Sequence, residues 1–382
     1  MGEWKEYKLG NIAECSLGKM LDRKKNHGSP RPYLNNVSLR WGSFDIDYSQ
    51  TMLFEDSELE RFQIKKNDIV MCEGGEPGRC AVWTSDEPIC YQKALHRIRA
   101  KEGFDNWFVY YYLCHYVHSG RIQAFFTGTT IKHLPLQNLK SLVISVPDFQ
   151  TQQEISSILS SLDDKIAVNR RICQNLEEQA QALFKHWFVD FAPFKDGKFV
   201  ESELGMIPEG WRVGTLADIA EFKRGKTITK SETKEGNVPV VAGGLEPAYY
   251  HSESNTSERV ITISASGANA GFTRMYYSPV WASDCSFVDN SASAYIHTAY
   301  CFLLTKKKAV NSLQWGAAQP HVYAKDINKL SLVIPPSNIL AQFEEMAKQM
   351  FDMVDVSVNE SSRLSVLRDT LLPKLMSGQI RL

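Results

Sequence analysis

PDFQTQQEISSILSSLDDKIAVNRRICQNLEEQAQALFKHWFVD, residues 147–190, is the stretch whose reading decides the fold. Within it Ile155, Leu159, Leu162, Ile166, Asn169, Cys173, Leu176, Ala180, Leu183 and Trp187 follow one another in steps of three and four. That spacing is the seam of a helix made to lie against another helix. No Gly or Pro interrupts the run after Pro147, and Thr151 followed by Glu154 has the form of a capping box. At 1.5 Å per residue, a helix of about 40 residues is roughly 60 Å long. A single compact domain cannot bury it, so the chain must supply a partner helix of similar length.

The partner emerges from an internal repeat. WKEYKLGNIAECSLGK from Trp4 aligns with WRVGTLADIAEFKRGK from Trp211, so that Leu9 matches Leu216, Ile12 matches Ile219, Gly18 matches Gly225 and Lys19 matches Lys226. Further on, SLVISVP (141–147) matches SLVIPP (331–336), an apolar strand ending in proline. A second periodic segment follows, with Met346, Met350, Met353, Leu364, Leu367 and Leu371 at helical spacing around a polar middle. The order is globule, long helix, globule, long helix. Asn169 on the first seam and Asn359 in the polar middle of the second form a candidate buried amide pair that sets register.

These readings divide the chain into a first globule (1–147), a central long helix (148–191), a Gly- and Pro-rich linker (192–210), a second globule (211–336) and a C-terminal long helix (337–382). Short apolar runs such as Asp68–Cys72 and Val260–Ser264 predict strands, and Phe104–His118 predicts an amphipathic helix. The expected class is α+β (mixed α/β): two similar globules and two long antiparallel helices forming a coiled-coil-like pair.

Composition narrows the function. The 382 residues suit two globular units rather than one core. No run of about 18 apolar residues exists and the N-terminus MGEWKEYKLG has no apolar signal segment, so a cytoplasmic location without membrane contact is expected. Eight cysteines without a CxxC pair read as reduced structural thiols. A formal net charge of -1 means that bulk positive charge does not hold a nucleic acid.

Enzymatic signatures fit this organisation poorly. Pro147-Asp148 with Asp163-Asp164-Lys165 has the outline of a PD…DxK nuclease, but Asp163 and Lys165 ride a helix rather than the strand that Mg²⁺ chemistry requires. The glycine-rich stretches 74–78 and 267–271 lack both GK[ST] and GxGxxG. His115 and His118 lie one turn apart with no carboxylate to complete a metal site. No NPPY-like motif marks a methyltransferase; a scaffold that binds no DNA is the third reading.

Several segments, in order and duplicated, carry a resemblance over nearly the full length. They are WKEYKLGNIAE, LDDKIAVNRRICQNLEEQAQALFKHWFVDF, ESELGMIPEGWRVGTLADIAE, GTTIKHL, GAAQPHV and LLPKLMSGQIRL. Together they resemble the specificity (S) subunit of type I restriction-modification systems. The resemblance implies a non-catalytic DNA-reading subunit whose globules are target-recognition domains, each reading one half of a split, asymmetric duplex site. It implies that the helices set the gap between halves and dock two methyltransferase subunits, with motor-endonuclease subunits joining. S-adenosylmethionine, ATP and Mg²⁺ are then expected in partner subunits and no cofactor in this chain.

DNA is held by Lys, Arg and backbone N–H groups and read by side chains that reach base edges. On that basis the first globule's candidates are Lys19, Arg23, Lys24, Lys25, Arg79, Lys93, Thr129, Thr130, Lys132 and His133. The second globule's are Lys223, Arg224, Lys226, Ser266, Asn269, Arg274, Gln319 and His321. The matching positions of Lys19 with Lys226, and of His133 with His321, favour those four over ordinary solvated side chains.

Overall fold

The structure is a computed structural model that describes residues 4–22, 24–316 and 320–382. It contains two compact units, residues 1–167 with 362–382 and residues 168–361. Each is an α+β unit built on the same plan. No helix among the described residues is long and apolar enough to cross a membrane.

In the first unit a four-stranded sheet runs in the order Ala13–Leu17, Leu95–Ala100, Ile69–Cys72, Cys80–Val82, all neighbours antiparallel. The second unit repeats it as Lys223–Arg224, Cys285–Asp289, Val260–Ser264, Thr273–Tyr276. Ile69, Val70, Met71 and Cys72 are all buried, as are all five residues of Val260–Ser264. Both central strands are therefore covered on both faces, which their unbroken apolar or small character allows.

The segments that repeat at the two ends of each globule meet in space. Lys5–Lys8 pairs antiparallel with Val143–Val146, and Arg212–Thr215 with Ser331–Ile334. A helix follows each sheet on the core side. Asn106–His118 opens with Asp105 accepting from the Phe108 backbone N–H at 2.7 Å, an N-cap that satisfies one of the helix's unpaired donors. The segment 192–210, read as a linker, holds a 3₁₀ turn (Ala192–Phe194) and a hairpin of Phe199–Ser202 with Gly205–Pro208. Trp211 at its end packs on Phe188, Phe191 and Phe194.

The long helices are Phe149–Phe188 and Ser337–Met376, 40 residues each. The first is capped by Asp148, which accepts from the Thr151 backbone N–H at 3.0 Å, so the expected Thr151–Glu154 box is not the cap. The preceding strand ends at Val146, and Pro147 and Asp148 connect it to the helix. Within the first unit Ile155 and Leu159 share a core with Leu372, Leu375 and Met376. Within the second, Ala180, Phe184 and Phe188 share one with Leu340, Phe343, Ala347, Phe351 and Val354. The early part of one helix thus meets the late part of the other in each unit, an antiparallel pairing.

The first helix presents its expected seam: Ile155, Leu159, Ile166 and Asn169 are buried, and Leu162, Leu176 and Leu183 half-buried. The second differs from expectation. Met353 is 56% exposed and Leu367 46% exposed, while Met346, Met350, Leu364 and Leu371 are half-buried. Its fully buried stripe is Phe343, Ala347, Phe351 and Val354, then Leu372 and Leu375. Counting from methionines shifted the phase, because Ser357 and Glu360 occupy the seam where apolar residues would have marked it. Asn169 donates to Glu360 Oε2 at 2.8 Å and to the Ser357 carbonyl at 3.4 Å. Asn359 is exposed and bonds Asp355 on its own helix, so the expected Asn169–Asn359 pair is replaced by Asn169–Glu360.

Candidate nucleic-acid interface

Each unit places a late loop beside the turn that leaves its central strand. In the first, the His133 backbone bridges both Gly74 and Thr127, with Thr127 and His133 exchanging N–H···O bonds of 2.8 and 2.9 Å. In the second, His321 bridges Ser266 and Trp315 in the same way, at 2.9 and 2.8 Å. The turns share backbone conformation: φ is +81° at Gly75 and +80° at Gly267, and +95° at Gly78 and +88° at Gly271. Glycine adopts these left-handed values without the Cβ penalty, which explains the glycines of both stretches. They are turns that present a loop rather than phosphate cradles.

The sequence candidates divide sharply on this scaffold. Thr129, Thr130, Lys132 and His133 are exposed together on the first late loop, with Ile131 between them 64% exposed. His133 Nδ1 lies 3.0 Å from Glu73 Oε2. Lys24, Lys25 and Lys93 are exposed, Lys25 within 3.9 Å of Asp22. Lys19 is buried: its ammonium pairs with Glu58, donates to the Leu53 carbonyl at 3.0 Å and lies over the Phe54 ring. These contacts tie its ammonium to the segment 53–58. Arg79 is likewise turned inward, with Nη2 on the Asn36 carbonyl at 2.7 Å, Nη1 on Glu76 at 2.6 Å and its side chain 16% exposed. In both cases acceptors within the same unit, a carboxylate and a backbone carbonyl, engage the cation. Arg23 lies outside the described residues.

In the second unit Lys223, Arg224 and Lys226 are exposed, and Ser266, Asn269 and His321 are half-buried. Lys226 thus differs from its counterpart Lys19, its ammonium lying 6.0 Å from the Trp281 ring. Ser266 donates to Asp284, which also holds Arg224. His321 stacks on Tyr323 at an interplanar angle of 14°. Arg274 is engaged with the Leu245 carbonyl at 3.1 Å and lies over Tyr276, apart from the Ser266–Asp284–Arg224 bonds. Gln319 lies outside the described residues. Three residues were missed by sequence reasoning: Glu73, Asp284 and Trp315, the last 64% exposed beside His321. Trp315 directly precedes the quoted GAAQPHV run, a signal available in the sequence; Asp284 in WASDCSF had none.

The nuclease outline does not assemble. Asp148 caps the first long helix, and Asp163 bonds Tyr111 and Arg368, so these carboxylates serve the fold. Among the described residues no group of three or more His, Cys, Asp or Glu is placed to hold a metal.

Two copies of one α+β unit, each presenting a loop-on-turn surface of polar and basic residues and each packed on a pair of long helices, define a duplicated recognition protein. The chain belongs to the type I restriction modification DNA specificity domain family, whose model matches residues 1–178 and 208–361. It is 27% identical over 339 residues to the MjaIX specificity subunit of a type I restriction enzyme from Methanocaldococcus jannaschii, covering 83% of this chain and 78% of that protein. It is 23% identical over 471 residues to the HindI specificity subunit from Haemophilus influenzae, covering 100% of both. In fold it is similar to the crystal structure of a type I restriction-modification S subunit from M. genitalium, with a TM-score of 0.57 and 21% identity over 98% of this chain and 96% of that one.

Proposed function

We propose that each unit reads one half of a bipartite, asymmetric DNA target, and that the two 40-residue helices set the spacing of the halves and dock two methyltransferase subunits. Motor-endonuclease subunits complete the assembly. In this reading the chain performs no catalysis: S-adenosylmethionine, ATP and Mg²⁺ belong to the partner subunits, and the complex works in the cytoplasm. The observation that carries the proposal is that both units hold the same His-centred late loop against the same strand turn, yet furnish it with different side chains. A shared scaffold with different polar contacts is what two unlike half-sites require.

The test is to express the chain with its methyltransferase subunits and map methylated bases. One nonpalindromic, interrupted motif is the expected product. Inserting seven residues into each long helix lengthens it by about 10 Å, or about three base pairs of duplex, and the gap in the motif grows accordingly. Methylation without sequence preference, or a gap that ignores the insertion, defeats the proposal. The net charge of -1 further leads us to expect weak, nonselective DNA binding by the isolated chain.

A further inference from the structure

Backbone hydrogen bonds establish which residues of the two units occupy the same place. Gly18 N–H donates to Leu95 O and Gly225 N–H to Cys285 O. Glu73 N–H donates to Ala94 O and Ala265 N–H to Asp284 O. Leu134 N–H donates to Glu73 O and Val322 N–H to Ala265 O. Strand register agrees, since Leu17 faces His96 and Arg224 faces Ser286 in corresponding pairs. Arg224 therefore stands where the first unit has Leu17, Asp284 where it has Ala94, and Ser266 where it has Gly74.

In the second unit these three residues form a connected set. Asp284 Oδ1 accepts from Arg224 Nη2, and Oδ2 accepts from the Ser266 hydroxyl. With both oxygens engaged the carboxylate is held in place, and it gives Arg224 Nη2 a fixed acceptor. Ser266 is itself bridged to His321, so the set lies directly against the late loop. The Arg224 side chain remains 46% exposed. In the first unit Leu17, Ala94 and Gly74 can make none of these bonds.

The electrostatics separate two possible roles. An arginine whose charge is offset by an adjacent carboxylate is a poor nonspecific anchor for phosphate, because little net charge remains to release counterions. Its remaining N–H donors keep their direction and planarity, and that geometry matches the O6 and N7 acceptors of guanine in the major groove.

Resting on the DNA-reading function proposed above, we propose that Arg224 reads a guanine in one half-site, that Asp284 and Ser266 are positioning residues for it, and that the other half-site is read without a counterpart at this position. The full chain assembled with its methyltransferase subunits tests this. Duplexes carrying the mapped motif are prepared with 7-deazaguanine, which lacks N7, at one guanine at a time.

One substitution, in one half only, should weaken binding by about tenfold or more. The Arg224→Ala complex, which has no donor at this position, should bind that duplex and the unmodified one alike. Its methylation motif should relax at that base pair alone. Asp284→Ala should relax the same base pair, whereas general damage to the unit would weaken binding to every duplex equally; if Asp284→Ala fails to fold, Arg224→Ala decides. A motif in which Arg224→Ala retains full discrimination at every guanine overturns this proposal alone. A wild-type complex with no sequence preference overturns the DNA-reading function and this proposal with it.

Discussion

Asp163 on the first long helix accepts a hydrogen bond from Arg368 Nη1 at 2.6 Å on the second, and another from the Tyr111 hydroxyl at 2.8 Å. One carboxylate thereby ties both long helices to the helix Asn106–His118 within the first unit. The Asp163 and Arg368 side chains are 28% and 29% exposed, so the pair is partly shielded from water. Replacing Asp163 by Ala removes the acceptor of Arg368 Nη1, although Asp369 still holds Nε and Nη2, and strands the Tyr111 hydroxyl. Chemical denaturation should show a loss of about 1–3 kcal/mol, and the added Arg368→Ala change should cost less than it does in the wild type. An unaltered midpoint would mean the pair contributes nothing.

His96 makes the first unit sensitive to acid. Burial pushes its imidazole down to about 4, although the Leu134 carbonyl 2.8 Å from Nε2 acts in the opposite direction. The unfolded chain holds the proton more tightly than the folded one, so this contribution is complete above about pH 6.5 and is lost as pH falls towards 4. The amount at pH 4 is about 3 kcal/mol. Leu134 follows His133 directly, so acid should loosen the late loop as it weakens the unit. Unfolding midpoints between pH 7 and 4 should fall for the wild type and fall less for a folded His96→Gln variant.

Glu344 should be among the most costly residues to truncate in the second unit. Its carboxylate accepts from the backbone N–H groups of His297 and Thr298, from the Thr298 hydroxyl at 2.6 Å and from His297 Nδ1 at 2.7 Å. Burial raises its pKa, but these donors outweigh burial and leave it below the ordinary glutamate value. Glu344→Ala leaves the start of the helix Ile296–Thr305 without acceptors, a loss of about 2–4 kcal/mol. Glu344→Gln, which keeps the shape, should cost less. Equal thermal shifts for the two variants would contradict this account.

Gly18 and Gly225 are required by close approach rather than by an unusual φ. A Cβ at Gly18 would lie 2.4 Å from the Gln92 carbonyl carbon and oxygen, and one at Gly225 2.3 Å from Ser283 O. Backbone cannot yield as a side-chain tip can, so Gly→Ala at either site should destabilise by about 1–3 kcal/mol. Limited proteolysis should find the opened segment in the altered unit only.

How much of this was legible depends on what local sequence can encode. The duplicated ends, the proline-terminated strands, the two long helices and the buried seam from Ile155 to Asn169 follow from periodicity and repetition. Both are properties of neighbouring residues and need no knowledge of distant ones. The matched histidines at 133 and 321 were legible for the same reason, because the repeat placed them at equal distance from the same strand.

Pairing across the chain was not legible. Lys19 and Lys226 look alike in sequence, yet Glu58 and the Leu53 carbonyl bury the first while the second stays exposed. The phase of the second long helix was hidden because its seam admits Ser357 and Glu360, which are tolerable there only because Asn169 faces them. Asp284 became visible only once Arg224 and Ser266, 60 and 18 residues away, were found beside it. Local order along the chain determined which elements form and that they form twice. Long-range packing decided which charges are consumed by the fold and which remain at its surface, because a hydrogen bond depends on distance in space and not on separation in sequence.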